Sequence, residues 1–325
     1  MKSLSLQSAH FLYLEKSYQE WLQTIGYADP TVNNWPTHVH ELLHYLEGRS
    51  VQHITTVTHL QIQDFIFHIK YRKNHSRAGA LSSSSINTII NAINSFAKYL
   101  NSTGKYVLDL TLERAEADQE VPVVLSVQEI RELYEATFYG SRENPVAMGQ
   151  RDRAMIAIFY GCGLRKMEGT MLNLFDIDLQ NRRVFVRKGK GNKQRYVPIA
   201  EKVANDLKAY IQEGRDWFLY EHYAKRYTDK YTSKKGASNS EALFIGQHGD
   251  RMSKFYQRLA ILKERAGIEK HFGPHTLRHS IATHLAMSGM EIEEISRFLG
   301  HSSLDSTQIY IHLAHELKQE DNGRL

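Results

Sequence analysis

Cysteine is nearly missing from this chain of 325 residues: Cys162 is the sole copy. No disulfide can close within the chain, and no cysteine-built zinc site can form. Long apolar runs are missing too. No stretch reaches the roughly 20 apolar residues that a bilayer-spanning helix needs. The opening MKSLSLQSAHFLYLEKSYQEW is interrupted by Glu and Gln, which does not read as a signal peptide. These absences lead to the expectation of a cytoplasmic protein with no membrane partner. Strong charge of one sign is also lacking. The net charge is +5 and the isoelectric point about 9.0, an excess too small to name a partner by itself. No internal repeat or low-complexity tract is evident. What remains is ordinary for a globular protein, with 42% hydrophobic and 24% charged residues, and the length suggests two domains.

The first hundred or so residues read as helices. Phe11, Leu14, Tyr18, Leu22 and Ile25 recur at helical spacing, with Gly26 as a stop. A second helix runs from about Pro30 to Leu46 and ends at Gly48. A third opens at Thr58, with Gln61 completing a capping box, and finishes in the basic run Lys70, Arg72, Lys73, Arg77. A fourth follows Ser82 to Ser85. Its apolar stripe is Ile86, Ile89, Ile90, Ile93 and Leu100, and its other face carries Asn87, Asn91, Asn94, Ser95 and Lys98. The helical pattern fails at about Val107, and an acidic stretch then precedes Pro122. This reads as a linker over 108–121, between a first domain at 1–107 and a second at 122–325. Ser126 with Glu129 forms the capping box that starts the second domain. There, Arg183 to Lys188 and Lys193 to Ile199 are β-prone runs flanking Gly189-Lys190-Gly191-Asn192, a β-hairpin with a glycine-rich tip. Everything after Ile199 returns to helical periodicity. The Trp217 to Ser240 stretch reads as an amphipathic helix followed by a loop.

Five short pieces of the second domain bear chemistry: GCGLRKME around Arg165, the hairpin tip with Lys190, PHTLRH with His275 and Arg278, LGH with His301, and Tyr310. Arg165 follows a glycine turn at the predicted start of a helix, a good place to aim a guanidinium at an anion. His275 and Arg278, three apart, share one helix face. Gly300 ends a helix, His301 follows, and Ser302 with Asp305 can cap the next helix, which carries Tyr310 on its second turn. Taken singly, each piece reads as a surface ion pair, a polar helix face or a core tyrosine. Together they put two arginines, two histidines and a lysine around one phosphate, with a tyrosine near. A phosphodiester under attack gains negative charge, which protein cations can neutralise without a metal.

In that order these residues resemble a family. The segment from about Pro122 to His315 is similar to the tyrosine recombinases, or phage integrase family, nearest to its Xer-like branch. GPHTLRHSIATHLAMSG and FLGHSSLDSTQIYIH resemble the family's C-terminal signature, GCGLRKME its first arginine motif, and VRKGKGNKQRYVPI its β-hairpin motif. Met167 and Cys162 stand where relatives often carry serine and threonine. The resemblance implies a mainly α fold with a small antiparallel β-sheet. It implies a helical core-binding (SAM-like) bundle at 1–107 and a catalytic domain after it, the two clamping duplex DNA from opposite sides.

The resemblance also implies roles. Arg165 and Arg278 clamp the phosphate. Lys190 protonates the leaving 5′ oxygen. His275 accepts a proton or stabilises charge, His301 holds the phosphate by a hydrogen bond, and Tyr310 is the nucleophile that forms a 3′-phosphotyrosyl link. Glu168 supports the arginine helix, and His279 supports packing. No cofactor and no metal are implied. The implied partner is double-stranded DNA carrying a specific recombination site. The implied assembly is a homo-tetramer, or a hetero-tetramer with a related recombinase, that works through a Holliday junction in the bacterial nucleoid. The C-terminal tail is expected to dock on a neighbouring subunit. Expected DNA contacts are Lys70, Arg72 and Lys73, the amides Asn87 and Asn91, and the hairpin residues Arg187, Lys188, Lys193 and Arg195. Such contacts go mostly to phosphates.

Three other readings compete. A type IB-like topoisomerase would share the chemistry, but the short layout and separate helical first domain argue against it. A catalytically silent DNA-binding regulator would not need all six catalytic positions filled. A metal hydrolase using His275, His279 and His284 lacks carboxylates at ligand spacing. Integration, inversion and dimer resolution stay open.

Overall fold

A computed structural model describes residues 5–72, 79–104, 112–116, 121–138, 144–187, 194–219, 241–246 and 249–322. The expected positions Lys73, Lys188, Lys190 and Lys193, and most of the Trp217 to Ser240 stretch, lie outside the described residues. The chain divides into two compact units, Met1–Glu120 and Val121–Leu325.

In the first unit the apolar stripes become four helices: α1 (Ala9–Thr24), α2 (Asp29–Glu47), α3 (His59–Tyr71) and α4 (Ser83–Ser102). Side chains bond the orphan amides at three of their starts. Ser8 accepts from the Phe11 N–H, Thr58 and Gln61 close the expected capping box, and Ser82 accepts from the Ser85 N–H. Phe11, Tyr18, Leu43, Phe65, Ile90 and Phe96 meet in the core. Pro36 lies inside α2 and cannot donate to the Val32 carbonyl. That oxygen instead accepts from the Gln19 side-chain amide at 3.5 Å, so the helix runs on.

The stretch read as a linker is partly a packed element. Leu112 and Ala115 lie against the helical core. The Asn94 amide grips the Leu112 backbone, and the Asn87 amide both donates to the Ala115 carbonyl and accepts from its N–H.

The second unit opens with α5 (Val127–Glu135), capped by Ser126 and Glu129 as expected. Next comes α6 (Pro145–Ile156), which continues into one wide π-helical turn, Ala157–Gly161. After Cys162 and Gly163 comes α7 (Lys166–Thr170). Three short strands, β1 (Ile177–Asp178), β2 (Arg183–Val186) and β3 (Arg195–Pro198), form an antiparallel sheet in that order. Val184 faces Val197, and both are buried. Then follow α8 (Glu201–Ala209), α9 (Phe255–Ala266), α10 (Pro274–Met287), α11 (Ile292–Leu299) and α12 (Asp305–Asn322).

Two local expectations need correction. Residues 242–246 and 249–251 are not helical. Bridges pair Asn173 with Ala242 and Ile245 with Arg251, and Ala242 to Ile245 are wholly buried. A short run apolar on every side cannot be assigned to helix or strand by periodicity. The turn into α12 is held by Ser303 rather than Ser302: its hydroxyl accepts from the Asp305 N–H and bonds the Asp305 carboxylate.

Candidate active site

The site is built on a sealed carboxylate. Glu168, on α7, is almost fully buried, with its side chain 3% exposed. It accepts from the backbone N–H and the guanidinium of Arg165, at 2.9 Å each. It also accepts both terminal nitrogens of Arg195, again at 2.9 Å. Arg278 stands 3.8 Å away. Burial pushes such a carboxyl up, but the bonds and charge of Arg195 and the bonds from Arg165 outweigh it and hold Glu168 at about 2. Three guanidinium groups against one carboxylate leave an excess of two positive charges at this spot.

Each arginine is aimed by backbone. The π turn and Gly163, at φ 59°, bring the chain back to start α7 with Arg165 as its first flanking residue. Arg165 also donates to the Gly300 carbonyl at 3.3 Å. Arg278, on α10, is 4% exposed. It donates to the carbonyl oxygens of Gly163 at 2.6 Å and Leu299 at 2.9 Å. Burial first, then the Arg165 charge, pulls its pKa down to about 10, so it stays charged at neutral pH. Gly300 ends α11 at φ 67° and passes so close to Arg195 that a Cβ there would lie 2.7 Å from its guanidinium.

Tyr310 lies on the second turn of α12 in a small core with Ala282, Ile295, Leu299 and Leu313. It is 3% exposed. Burial pushes its pKa up, while Arg278 and Arg165 pull against that. The His301 ring lies nearly parallel to the Tyr310 ring, centroids 6.2 Å apart, and its Nδ1 bonds the Thr307 hydroxyl at 2.8 Å. Burial, then Arg278, Arg165 and Arg195, lowers His301 to about 4. His275 faces solvent on the first turn of α10, and its pKa is lowered by partial burial and then by Arg278, Lys166 and Arg165. Arg165, His275, Arg278, His301 and Tyr310 therefore belong to one electrostatic cluster.

The residue bonded to the tyrosine hydroxyl is one that sequence reasoning assigned to packing. His279 Nδ1 lies 2.9 Å from the Tyr310 Oη. The signal was present: His275 and His279 are four apart and share a helix face.

The expected DNA contacts fare differently. Lys70 is exposed on α3. Arg72 pairs with Glu41 at 2.9 Å. Asn91 accepts from Arg114, and Asn87 is spent on Ala115. Arg187 pairs with the buried Asp176 and donates to the Met171 carbonyl. Arg195 is bound to Glu168, so it is a correction: it braces the site rather than reaching outward as hairpin charge. Among the described residues no group of three His, Cys, Asp or Glu is placed to hold a metal ion, and no helix is long and apolar enough to cross a membrane.

Comparison with known proteins adds three kinds of likeness. The phage integrase family signature matches residues 124–316. The chain is 31% identical over 315 residues to tyrosine recombinase XerC of Oceanobacillus iheyensis, covering 95% of this chain and 94% of that protein. It is 34% identical over 229 residues to tyrosine recombinase XerD of Pseudomonas putida, covering 69% and 70%. Among solved structures, the XerH site-specific recombinase bound to a palindromic difH substrate, a post-cleavage complex, matches with a TM-score of 0.66 at 21% identity, over 97% of this chain and 85% of that one. A lambda integrase (75–356) dimer bound to a COC′ core site matches at 0.60 and 13% identity, over 92% and 94%. At these identities the structural likenesses show the fold.

Proposed function

Because the chain belongs to the phage integrase family and is a tyrosine site-specific DNA recombinase, we propose that Tyr310 is its nucleophile and that Arg165, Arg278, His275 and His301 form its phosphate pocket. The carrying observation is that Arg278 and Arg165, both gathered at the buried Glu168 carboxylate, are the two charges that act on the buried Tyr310 hydroxyl. An excess of two positive charges in a partly dehydrated site favours a dianionic pentacoordinate transition state. Arg165 and Arg278 neutralise the non-bridging oxygens. His301, fixed by Thr307, and His275, at the solvent edge, add hydrogen bonds. The phenol oxygen forms the bond to phosphorus, the bond to the 5′ oxygen breaks, and Lys190 gives that oxygen its proton. A 3′-phosphotyrosyl link results, and the 5′-hydroxyl of a partner strand reverses it. No ATP is needed, because the bond energy stays in the link.

The substrate in this reading is duplex DNA with a specific site, supported by relatives solved on difH and core-site DNA. The working assembly is a tetramer on two sites that exchanges strands through a Holliday junction, in the bacterial cytoplasm at the nucleoid. A nicked suicide duplex carrying the native site tests the core of it. The native chain should form a covalent adduct and Tyr310→Phe none. An adduct that persists in the variant sinks the assignment.

A further inference from the structure

We infer that His279 is the proton acceptor for Tyr310: as the phenol oxygen attacks phosphorus, its proton passes to His279 Nδ1. This rests on the reading of Tyr310 as nucleophile and deepens it.

The distance is right for direct transfer. Nδ1 and Oη are 2.9 Å apart, with the rings tilted at 41°. The charge state is right as well. Burial, then the neighbouring His275 and the Arg278 guanidinium, brings His279 down to about 4, so at pH 7 its ring is neutral and one nitrogen offers a lone pair. The groups that face it are His275 and Arg278 on its own helix, His301 at the end of α11, and Tyr310 on α12. The two other histidines are less suited. His301 has Nδ1 engaged by the Thr307 hydroxyl at 2.8 Å, whereas the hydrogen bond to the Tyr310 hydroxyl comes from His279. His275 faces solvent.

A base of such low affinity would not ionise a phenol in the empty pocket. Two changes on binding DNA remove the mismatch. The incoming phosphodiester brings a negative charge that offsets the guanidinium groups and raises His279. The phenolate charge is also consumed as it forms, because the oxygen bonds to phosphorus in the same step. The account balances. The Oη–P bond forms while the P–O5′ bond breaks. One proton moves from Oη to Nδ1, and one moves from Lys190 to O5′. On rejoining, His279 Nδ1–H returns its proton to the departing Tyr310.

Single-turnover adduct formation on the nicked suicide duplex, followed from pH 6 to pH 9, tests this with the full-length chain. His279→Gln keeps a polar side chain but cannot take a proton. Its adduct rate should fall about 100-fold at pH 7, the scale of general base catalysis. It should then climb with pH as hydroxide replaces the lost base, while the native rate stays nearly flat. Binding to the uncleaved duplex should be unchanged. A variant rate within threefold of native, or faster, with a parallel pH profile would overturn the inference and make the bond a resting latch. A measurement on the native chain does not depend on variant folding. Nitrogen-15 shifts of His279 should show Nδ1 without its proton; a protonated Nδ1 would mean the phenol accepts, which also overturns it. An adduct in Tyr310→Phe would instead defeat the nucleophile assignment.

Discussion

Arg195 meets the Glu168 carboxylate with both terminal guanidinium nitrogens, each at 2.9 Å, from the first residue of β3. The pairing ties the strand that leaves the lysine-bearing hairpin to the helix that aims Arg165. Breaking one side of a buried ion pair costs about 3–5 kcal/mol. Arg195→Gln should therefore lower stability by a few kcal/mol and strand cleavage by at least tenfold, while the salt dependence of DNA binding stays put. A true phosphate contact would instead reduce the slope of log affinity against log salt by about one. Gel shifts across a salt series distinguish the two.

Gly300 offers a second check on the same junction. Gly300→Ala places a methyl 2.7 Å from the Arg195 guanidinium at φ 67°. Gly289→Ala meets nothing within 4 Å at φ 88°. The second should cost only backbone strain, about 1 kcal/mol. The first should cost clearly more and reduce adduct formation too. Denaturant melts of the two variants side by side measure the difference.

Acid stability should fall in two stages. His279 and His301 are each lowered to about 4, so the unfolded chain, with histidines near 6.5, binds more protons between those values. Their contribution is complete above pH 6.5 and is lost as pH drops toward 4. At about 1.4 kcal/mol per unit, the pair is worth on the order of a few kcal/mol. Glu168 is held at about 2 against an ordinary 4.5, so its share survives that window and is lost only as pH falls from about 4.5 toward 2. Melting followed from pH 7 to pH 3 should show the first loss, and His279→Gln should flatten it.

Asn87→Ala removes both bonds to Ala115. The expected result is faster amide exchange over 112–116, with DNA affinity changed less than twofold. A large affinity loss with the segment still protected would return Asn87 to the DNA face.

The Arg195 and Asn87 cases show where sequence reading stops. The residues of the proposed catalytic set stand out in the sequence because they sit in short local patterns: a glycine turn before Arg165, i,i+3 spacing for His275 and Arg278, and a Gly300 stop before His301. Helix starts at Thr58 and Ser126 are equally local. Arg195 looked like one more charge in a basic hairpin. Its direction is set by strand alternation, which points it inward with the buried Val197. Asn87 looked polar and solvent-facing because its partner is 28 positions away. His279 was read as packing because the hydroxyl that needs it comes from another helix, 31 residues on. Local spacing reveals which side chains share a face, and only the tertiary path reveals what that face meets.

The Tyr310 ring packs on Ala282, Ile295 and Leu299 of its own chain, beside its own His279 and His301. With Tyr310 as the proposed nucleophile, a subunit built this way would cut with its own tyrosine. Mixing Tyr310→Phe molecules with Arg278→Ala molecules should not rebuild a working centre, because neither can lend its partner the missing group. In a mixed assembly, each disabled copy would leave uncut only the strand it sits on.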